Sequence, residues 1–139
     1  MKNIFIKTVY CLFIIGCSCP PEKTYHFRFD NASGQRVAIV MDEIDDILPD
    51  SLVLQPEGSY EWTNMAQDGG FYPLRIKGNG EIKVYFGDST KIVYSEGQGR
   101  SPSRYSNFIL SETSKYLYLG VYTFTVADYE AAIALNQQQ

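Results

Sequence analysis

The side chains able to act as nucleophiles, bases or metal ligands are few in this sequence. All three cysteines (Cys11, Cys17 and Cys19) fall within the first 19 residues, and the single histidine is His26. A zinc site needs several clustered Cys, His or acidic ligands, and no Gly-x-Ser-x-Gly motif places a serine at a nucleophile elbow. The sequence therefore predicts no catalytic residue, cofactor or metal site, and it predicts His26 to be a surface-facing strand residue.

The densest group of carboxylates lies in the acidic connection, residues 42–50. Its acidic members are Asp42, Glu43, Asp45, Asp46 and Asp50. Glycosidase chemistry needs two carboxylates roughly 5–10 Å apart across a cleft, and calcium needs several oxygen ligands. Apolar residues interrupt the segment and no Gly supplies the sharp turn of an EF-hand. The pattern favours a solvated acidic loop, and a calcium site or a small enzyme or inhibitor built on 42–50 remains an alternative.

The first 16 residues have the order of an export signal. Lys2 supplies a positive charge, and the apolar stretch 9–15 that follows is too short to span a bilayer, which takes about 20 residues. The stretch ends in Ile14-Ile15-Gly16-Cys17, which resembles the lipobox of bacterial lipoproteins. The resemblance implies that Cys17 receives the lipid and becomes the first residue of the mature protein. Ser18, in place of Asp, resembles the outer-membrane class of these lipoproteins.

Removing residues 1–16 from the 139-residue chain leaves 123 residues, enough for one domain with its own core. The mature chain has 10 basic and 16 acidic residues, a net charge of −6. This charge disfavours nucleic acid as a partner and disfavours membrane binding by charge alone, so membrane attachment would be through the lipid on Cys17. The predicted organisation is a signal (1–16), a tether (17–23), a β-sandwich domain (24–135) and a frayed tail (136–139).

The body of the chain is rich in aromatic residues and short alternating segments, which favour strands. The turn signals between them predict an all-β, antiparallel β-sandwich of about seven or eight strands, immunoglobulin-like or transthyretin-like. Segment 36–41 is expected to pair with 25–30, and 74–77 to form a hairpin with 81–86. Residues 95–105 are expected to form an exposed, mobile loop. A sequence resembling a capping box at 125–128 predicts a short carboxy-terminal helix.

The last predicted strand offers a candidate binding surface. Tyr116, Tyr118 and Tyr122 share one parity of that strand, and exposed tyrosines are typical of surfaces that bind glycans or proteins. The alternative, which the sequence favours, is that these rings pack against the second sheet. Two Asp-Ser-x triplets also resemble the short O-glycosylation acceptor of Bacteroidota, which would place glycans on Ser51 and Ser89.

The lipobox, the Phe-Arg-Phe-Asp-Asn-x-Ser-Gly segment at 27–34 and the Tyr-Thr-Phe-Thr-x-x-Asp-Tyr-Glu segment at 122–130 resemble small outer-membrane lipoproteins of uncharacterised Bacteroidota families. The resemblance implies a compact sandwich at the cell envelope and transfers no catalytic residue. The expected function is non-catalytic binding of a glycan or an envelope protein, or a structural role. Pairing of a strand edge with a neighbouring subunit is a further alternative.

Overall fold

The computed structural model describes residues 23–41, 48–65, 73–74, 80–95 and 99–138. These residues form eight strands, one short 3-10 helix (Tyr105–Asn107) and one α-helix. The strands and the helix are β1 (Thr24–Ala32), β2 (Val37–Met41), β3 (Ser51–Leu54), β4 (Ser59–Met65), β5 (Glu81–Phe86), β6 (Thr90–Ser95), β7 (Ile109–Ser114), β8 (Leu117–Thr125) and α1 (Val126–Asn136). The predicted all-β class, the strand number and the carboxy-terminal helix are confirmed.

The first sheet has the strand order β4-β1-β8-β7. β1 lies in its middle and pairs antiparallel with β4 but parallel with β8, so the first and last strands run side by side. The expectation of a wholly antiparallel arrangement is wrong at this one pair. The expected pairing of segment 36–41 with segment 25–30 is also wrong, because β4 and β8 occupy both edges of β1. The turn after β1 instead carries the chain across to the other sheet.

The second sheet has the order β3-β2-β5-β6, and all its pairs are antiparallel. β5 has β2 on one edge and β6 on the other. Residues 75–79 lie outside the described part of the chain, so the hairpin expected between 74–77 and 81–86 stays a prediction. Alternation identifies a strand without identifying its partner. The short linker between segments 25–30 and 36–41 therefore led to the wrong pairing.

One core lies between the two sheets, because alternate residues of each sheet face inward. The first sheet contributes mostly aromatic side chains, with Phe27 and Phe29 at its centre, and the second contributes aliphatic ones such as Ile39 and Val84. The rings pack tilted or edge to face, as Phe29 does against Tyr122 at 5.9 Å between centroids. Aromatic pairs of this kind stabilise a core beyond the area that they bury.

Helix α1 begins at the capping box that the sequence predicts. The side chain of Thr125 accepts from the backbone N–H of Asp128, and the Asp128 carboxylate accepts from the backbone N–H of Thr125. The other end is tied to β6, since Asn136 Nδ2 donates to the carbonyl of Lys91 at 2.8 Å. Ala132 is fully buried beneath the helix. The helix therefore packs along the side of the sandwich at β6.

The segment expected to be a mobile loop is partly built into the fold. Residues 96–98 lie outside the described part, but Ser101 and Pro102 are buried. Asn107 Nδ2 donates to the carbonyls of Gly99 and Ser101 at 2.8 and 3.0 Å, which closes the segment on itself. The expected exposure is thus confirmed at residues 99, 100, 104 and 105 but wrong at Ser101 and Pro102, because a polar segment can be folded inward by hydrogen bonds that composition does not reveal.

Candidate functional site

The two most chemically suggestive segments of the sequence fall largely outside the described residues. Cys17 belongs to residues 1–22, and the lipidation expected there stays a prediction. Residues 42–47 of the acidic connection are also outside, while Leu48 is buried and Asp50 is exposed just before β3. In the described ranges, no three His, Cys, Asp or Glu side chains come together as metal ligands.

The candidate tyrosine surface is not a single exposed surface. Tyr122 is fully buried, so its place on a binding surface is wrong and the alternative of core packing applies to it. Tyr118 is half-buried and stacks on Tyr25 with 5.1 Å between ring centroids. Tyr116 is not in the strand but in the turn before β8, with a φ of 73°. Tyr118 and Tyr122 lie on the face of β8 that points into the core. Only the start of this face, at Tyr118, reaches the surface.

The two candidate glycosylation serines are both exposed. Ser51 is the first residue of β3, an edge strand of the second sheet, and Ser89 lies in the turn between β5 and β6. Both positions would leave room for a glycan, and the modification itself stays a prediction.

The outer face of the first sheet carries polar side chains at its β1–β4 half. His26 is half-buried there and lies 3.2 Å from the hydroxyl of Thr63, through its Nδ1. Arg28 makes an ion pair with Asp30, with Nε to Oδ1 at 2.8 Å, and approaches Glu61 at 3.8 Å. These are neighbouring residues on one flat sheet face, an arrangement typical of cross-strand pairing.

A buried asparagine organises one end of the sandwich, which is called the Asn31 end below. Asn31 Nδ2 donates to the carbonyls of Gln35, Leu54 and Gln55 at 2.7, 3.3 and 2.9 Å. Its Oδ1 accepts from the backbone N–H and the hydroxyl of Ser33 at 3.1 and 2.7 Å. One side chain thus holds the turn after β1 to the turn after β3. The sequence shows a turn signal here but not the long-range bonds.

Backbone hydrogen bonds tie the same loops together. The N–H of Asn31 donates to the carbonyl of Gly58, and the N–H of Glu57 donates back to the carbonyl of Asn31, both at 2.9 Å. Gly87 donates to the carbonyl of Arg36 at 2.8 Å, which adds the β5–β6 turn. Loops fixed to a rigid scaffold in this way can present exposed side chains in a constant arrangement.

A second polar cluster fastens segment 99–105 to the start of α1. Arg100 Nε lies 2.7 Å from Oδ1 of Asp128, and its Nη2 donates to the carbonyl of Thr123 at 2.9 Å. The Tyr122 hydroxyl donates to the carbonyl of Arg100. Burial raises the pKa of both Tyr122 and Tyr94, and the nearby Asp128 carboxylate raises these pKa values further. The Tyr122 phenol, held protonated by burial, acts here as a hydrogen-bond donor.

The edge strand β7 is the most exposed strand whose burial is described throughout. All six of its residues are exposed, with Ile109 at 76% and Leu110 at 37%. It pairs with β8 on one side, with an irregularity between Glu112 and Ser114. Exposed apolar side chains on an edge strand are typical of a site at which another strand can be added.

Together these elements define a two-sheet β protein with a carboxy-terminal helix, two structural polar clusters and one exposed edge strand. No protein-family model and no curated protein matches the chain. Within the described part, no helix has the length and apolar character needed to cross a membrane.

Proposed function

We propose that this protein is a lipid-anchored lipoprotein of the cell envelope, in the outer membrane, whose body binds a protein partner and catalyses no reaction. The proposal takes the body to be an immunoglobulin-like or transthyretin-like sandwich. Its first support is the position of the lipobox, because β1 begins at Thr24, only seven residues after Cys17. A folded body that starts so close to the lipidated residue suits a protein held against a membrane surface.

The observation that carries the binding role is the exposure of β7. Ile109 is 76% exposed on the outer face of the sheet, beside its cross-strand partner Val121. A partner strand laid along β7 would gain main-chain hydrogen bonds, and Ile109 would add apolar contact. The burial of Tyr122 removes one of the three tyrosines of the candidate surface for glycans or proteins, so the exposed β7, which suits a protein strand, is the better support for a partner.

The anchor is tested by mass spectrometry of the amino-terminal peptide from envelopes of cells that express the full chain. We expect a lipidated Cys17 at the amino terminus, and we expect Cys17→Ala to leave the protein unlipidated and its signal uncleaved. Cys19→Ala is the matched control, because it removes a thiol two residues away and should leave lipidation intact. An unmodified Cys17 in the wild-type protein would overturn the anchor.

The partner surface is tested by native electrophoresis of envelopes extracted from the natural host in mild detergent, with identification of the bands by mass spectrometry. We expect the protein in a complex that Ile109→Lys disrupts. Val53→Lys is the control, since Val53 is 46% exposed on an edge strand of the other sheet. A wild-type protein that migrates as a monomer, or two variants that behave alike, would contradict binding through β7.

A further inference from the structure

The end of the sandwich at which β1 enters the fold, called the Thr24 end below, carries a cluster of tyrosines and lysines. Its rings are Tyr25, Tyr116 and Tyr118, and its cations are Lys23 and Lys115. Both lysines are exposed and the three rings are half-buried. The parallel pairing of β1 with β8 brings these residues together, because both strands start at this end.

The cluster is held together by direct contacts. The backbone N–H of Thr24 donates to the carbonyl of Tyr116 at 2.9 Å, which fixes the β7–β8 turn beside the first residue of β1. Tyr25 and Tyr118 stack, and Lys23 Nζ lies 5.6 Å from the centre of the Tyr118 ring. Lys115 Nζ lies 5.1 Å from the centre of the Tyr116 ring. Rings that carry a lysine beside them match the chemistry of a membrane–water interface.

The length of the tether determines which end of the sandwich can reach the membrane. Seven residue steps separate Cys17 from Thr24, which span about 25 Å at most. β1 spans eight steps, about 27 Å, so the Asn31 end lies that much farther from the point where the tether joins. An inverted sandwich would need a tether that runs back along the whole of β1. A fully extended tether is about 2 Å too short for this, so in an end-on arrangement the Thr24 end is the one that faces the lipid.

The charge at this end is mixed. Glu112 is the cross-strand partner of Tyr118, and Asp50 is exposed at the start of β3 on the second sheet. Among the described residues at this end, these two carboxylates offset Lys23 and Lys115, so those residues give little net attraction to anionic lipid. Contact with the membrane must then depend on the rings, whose apolar bodies and hydroxyl tips suit the headgroup region.

We propose that the Thr24 end is a membrane-docking surface that seats Tyr116, Tyr118 and Tyr25 in the headgroup region of the bilayer holding the lipid on Cys17. This inference rests on the lipid anchor of the proposed function. It assigns a fixed orientation to the anchored protein: the Asn31 end, with its interconnected loops, points away from the membrane. Such an orientation places the last residues of β7 near the bilayer and leaves Ile109, which pairs with Val121 in the middle of β8, on the side of the molecule.

The test compares lysine reactivity in the lipidated wild-type protein reconstituted in phosphatidylcholine–phosphatidylethanolamine vesicles with that in the body from residue 20 onward, which carries neither lipid nor signal and is free in solution. Lys115 should react at least several-fold more slowly on vesicles. Lys91 is the matched control, because it is exposed near the start of β6, toward the Asn31 end, and its reactivity should not change. Protection of Lys115 should persist in high salt. These measurements use unaltered side chains, so they do not depend on a variant that folds.

A second measurement uses quenching of tryptophan fluorescence by brominated lipids. Tyr116→Trp should be quenched on vesicles, whereas Val126→Trp, 51% exposed at the opposite end, should not be. Equal quenching of the two, equal reactivity of Lys115 and Lys91, or protection that needs anionic lipid and vanishes in high salt would overturn the docking surface. Failure of the wild-type protein to sediment with vesicles would overturn the anchor itself, so the two failures are distinguishable.

Discussion

Replacement of Asn31 by alanine is expected to destabilise the fold by about 3 kcal/mol, because a single buried amide holds two loops together. The side chain is 2% exposed and makes its bonds to backbone groups of Ser33, Gln35, Leu54 and Gln55. Alanine fits the backbone of β1 but offers neither donor nor acceptor. The groups that Asn31 satisfied then lose their protein partner, and the N–H of Ser33 is among those in a buried bond.

The magnitude follows from the bonds that are lost. Nδ2 has two protons, so its two short bonds, to Gln35 and Gln55, are counted and the 3.3 Å contact to Leu54 is not. The N–H of Ser33 is the third group that loses its partner, whereas the Ser33 hydroxyl is not counted because it keeps the carbonyl of Gln35 at 3.3 Å. A buried hydrogen bond contributes about 1 kcal/mol net, and a stranded buried group costs about 1–3 kcal/mol. Three such losses give roughly 3 kcal/mol, or a fall in Tm of roughly 10–15 °C.

The assay is urea unfolding of the body from residue 20 onward, followed by the fluorescence of Trp62. Trp62 is the only tryptophan, and it is 7% exposed, so its emission reports loss of the core. Gln55→Ala is the matched control, since it truncates an exposed carboxamide in the same loop and should change stability by less than about 0.5 kcal/mol. A loss below about 1 kcal/mol for Asn31→Ala, or equal losses for the two variants, would refute the reasoning.

Three further predictions use the same unfolding assay. Asp128→Ala should cost about 1–2 kcal/mol, because it removes the carboxylate that completes the capping box with Thr125, and the half-exposed Arg100 pair adds little. Gly120→Ala should cost about 1–3 kcal/mol, since a Cβ there would lie 3.0 Å from the Phe27 ring. Burial raises the pKa of Tyr122 above 10, so stability should fall as pH rises above about 10, and Tyr122→Phe should make that fall shallower.

Each of these predictions has a result that would contradict it. Glu130→Ala on the exposed side of α1 should be nearly neutral, so a cost as large as that of Asp128→Ala would show that the cap is not the cause. An unchanged stability for Gly120→Ala would mean that the core has room beside Phe27. The tyrosine prediction fails if the alkaline fall is as steep in Tyr122→Phe as in the wild-type protein, because the buried phenol would then contribute nothing to it.

The sequence was sufficient for features that depend on neighbours along the chain. Alternation predicted the strands because the side-chain period of a strand is local, and the Thr125–Asp128 cap of α1 follows from a three-residue spacing. Strand pairing could not be predicted in the same way. The parallel pairing of β1 with β8 joins residues about 90 positions apart, and no local pattern encodes such a partner.

The tyrosines show where local and tertiary information divide. Parity alone placed Tyr116, Tyr118 and Tyr122 together, and the sequence also marked Cys17 and the short tether that follows it. Only the packing of the second sheet decided that Tyr122 lies in the core, while the other two lie at the Thr24 end, where the tether joins. Burial depends on what covers a face, which is decided by residues distant in sequence. The predicted lipid site, in contrast, rests on a motif of four adjacent residues and needs no fold.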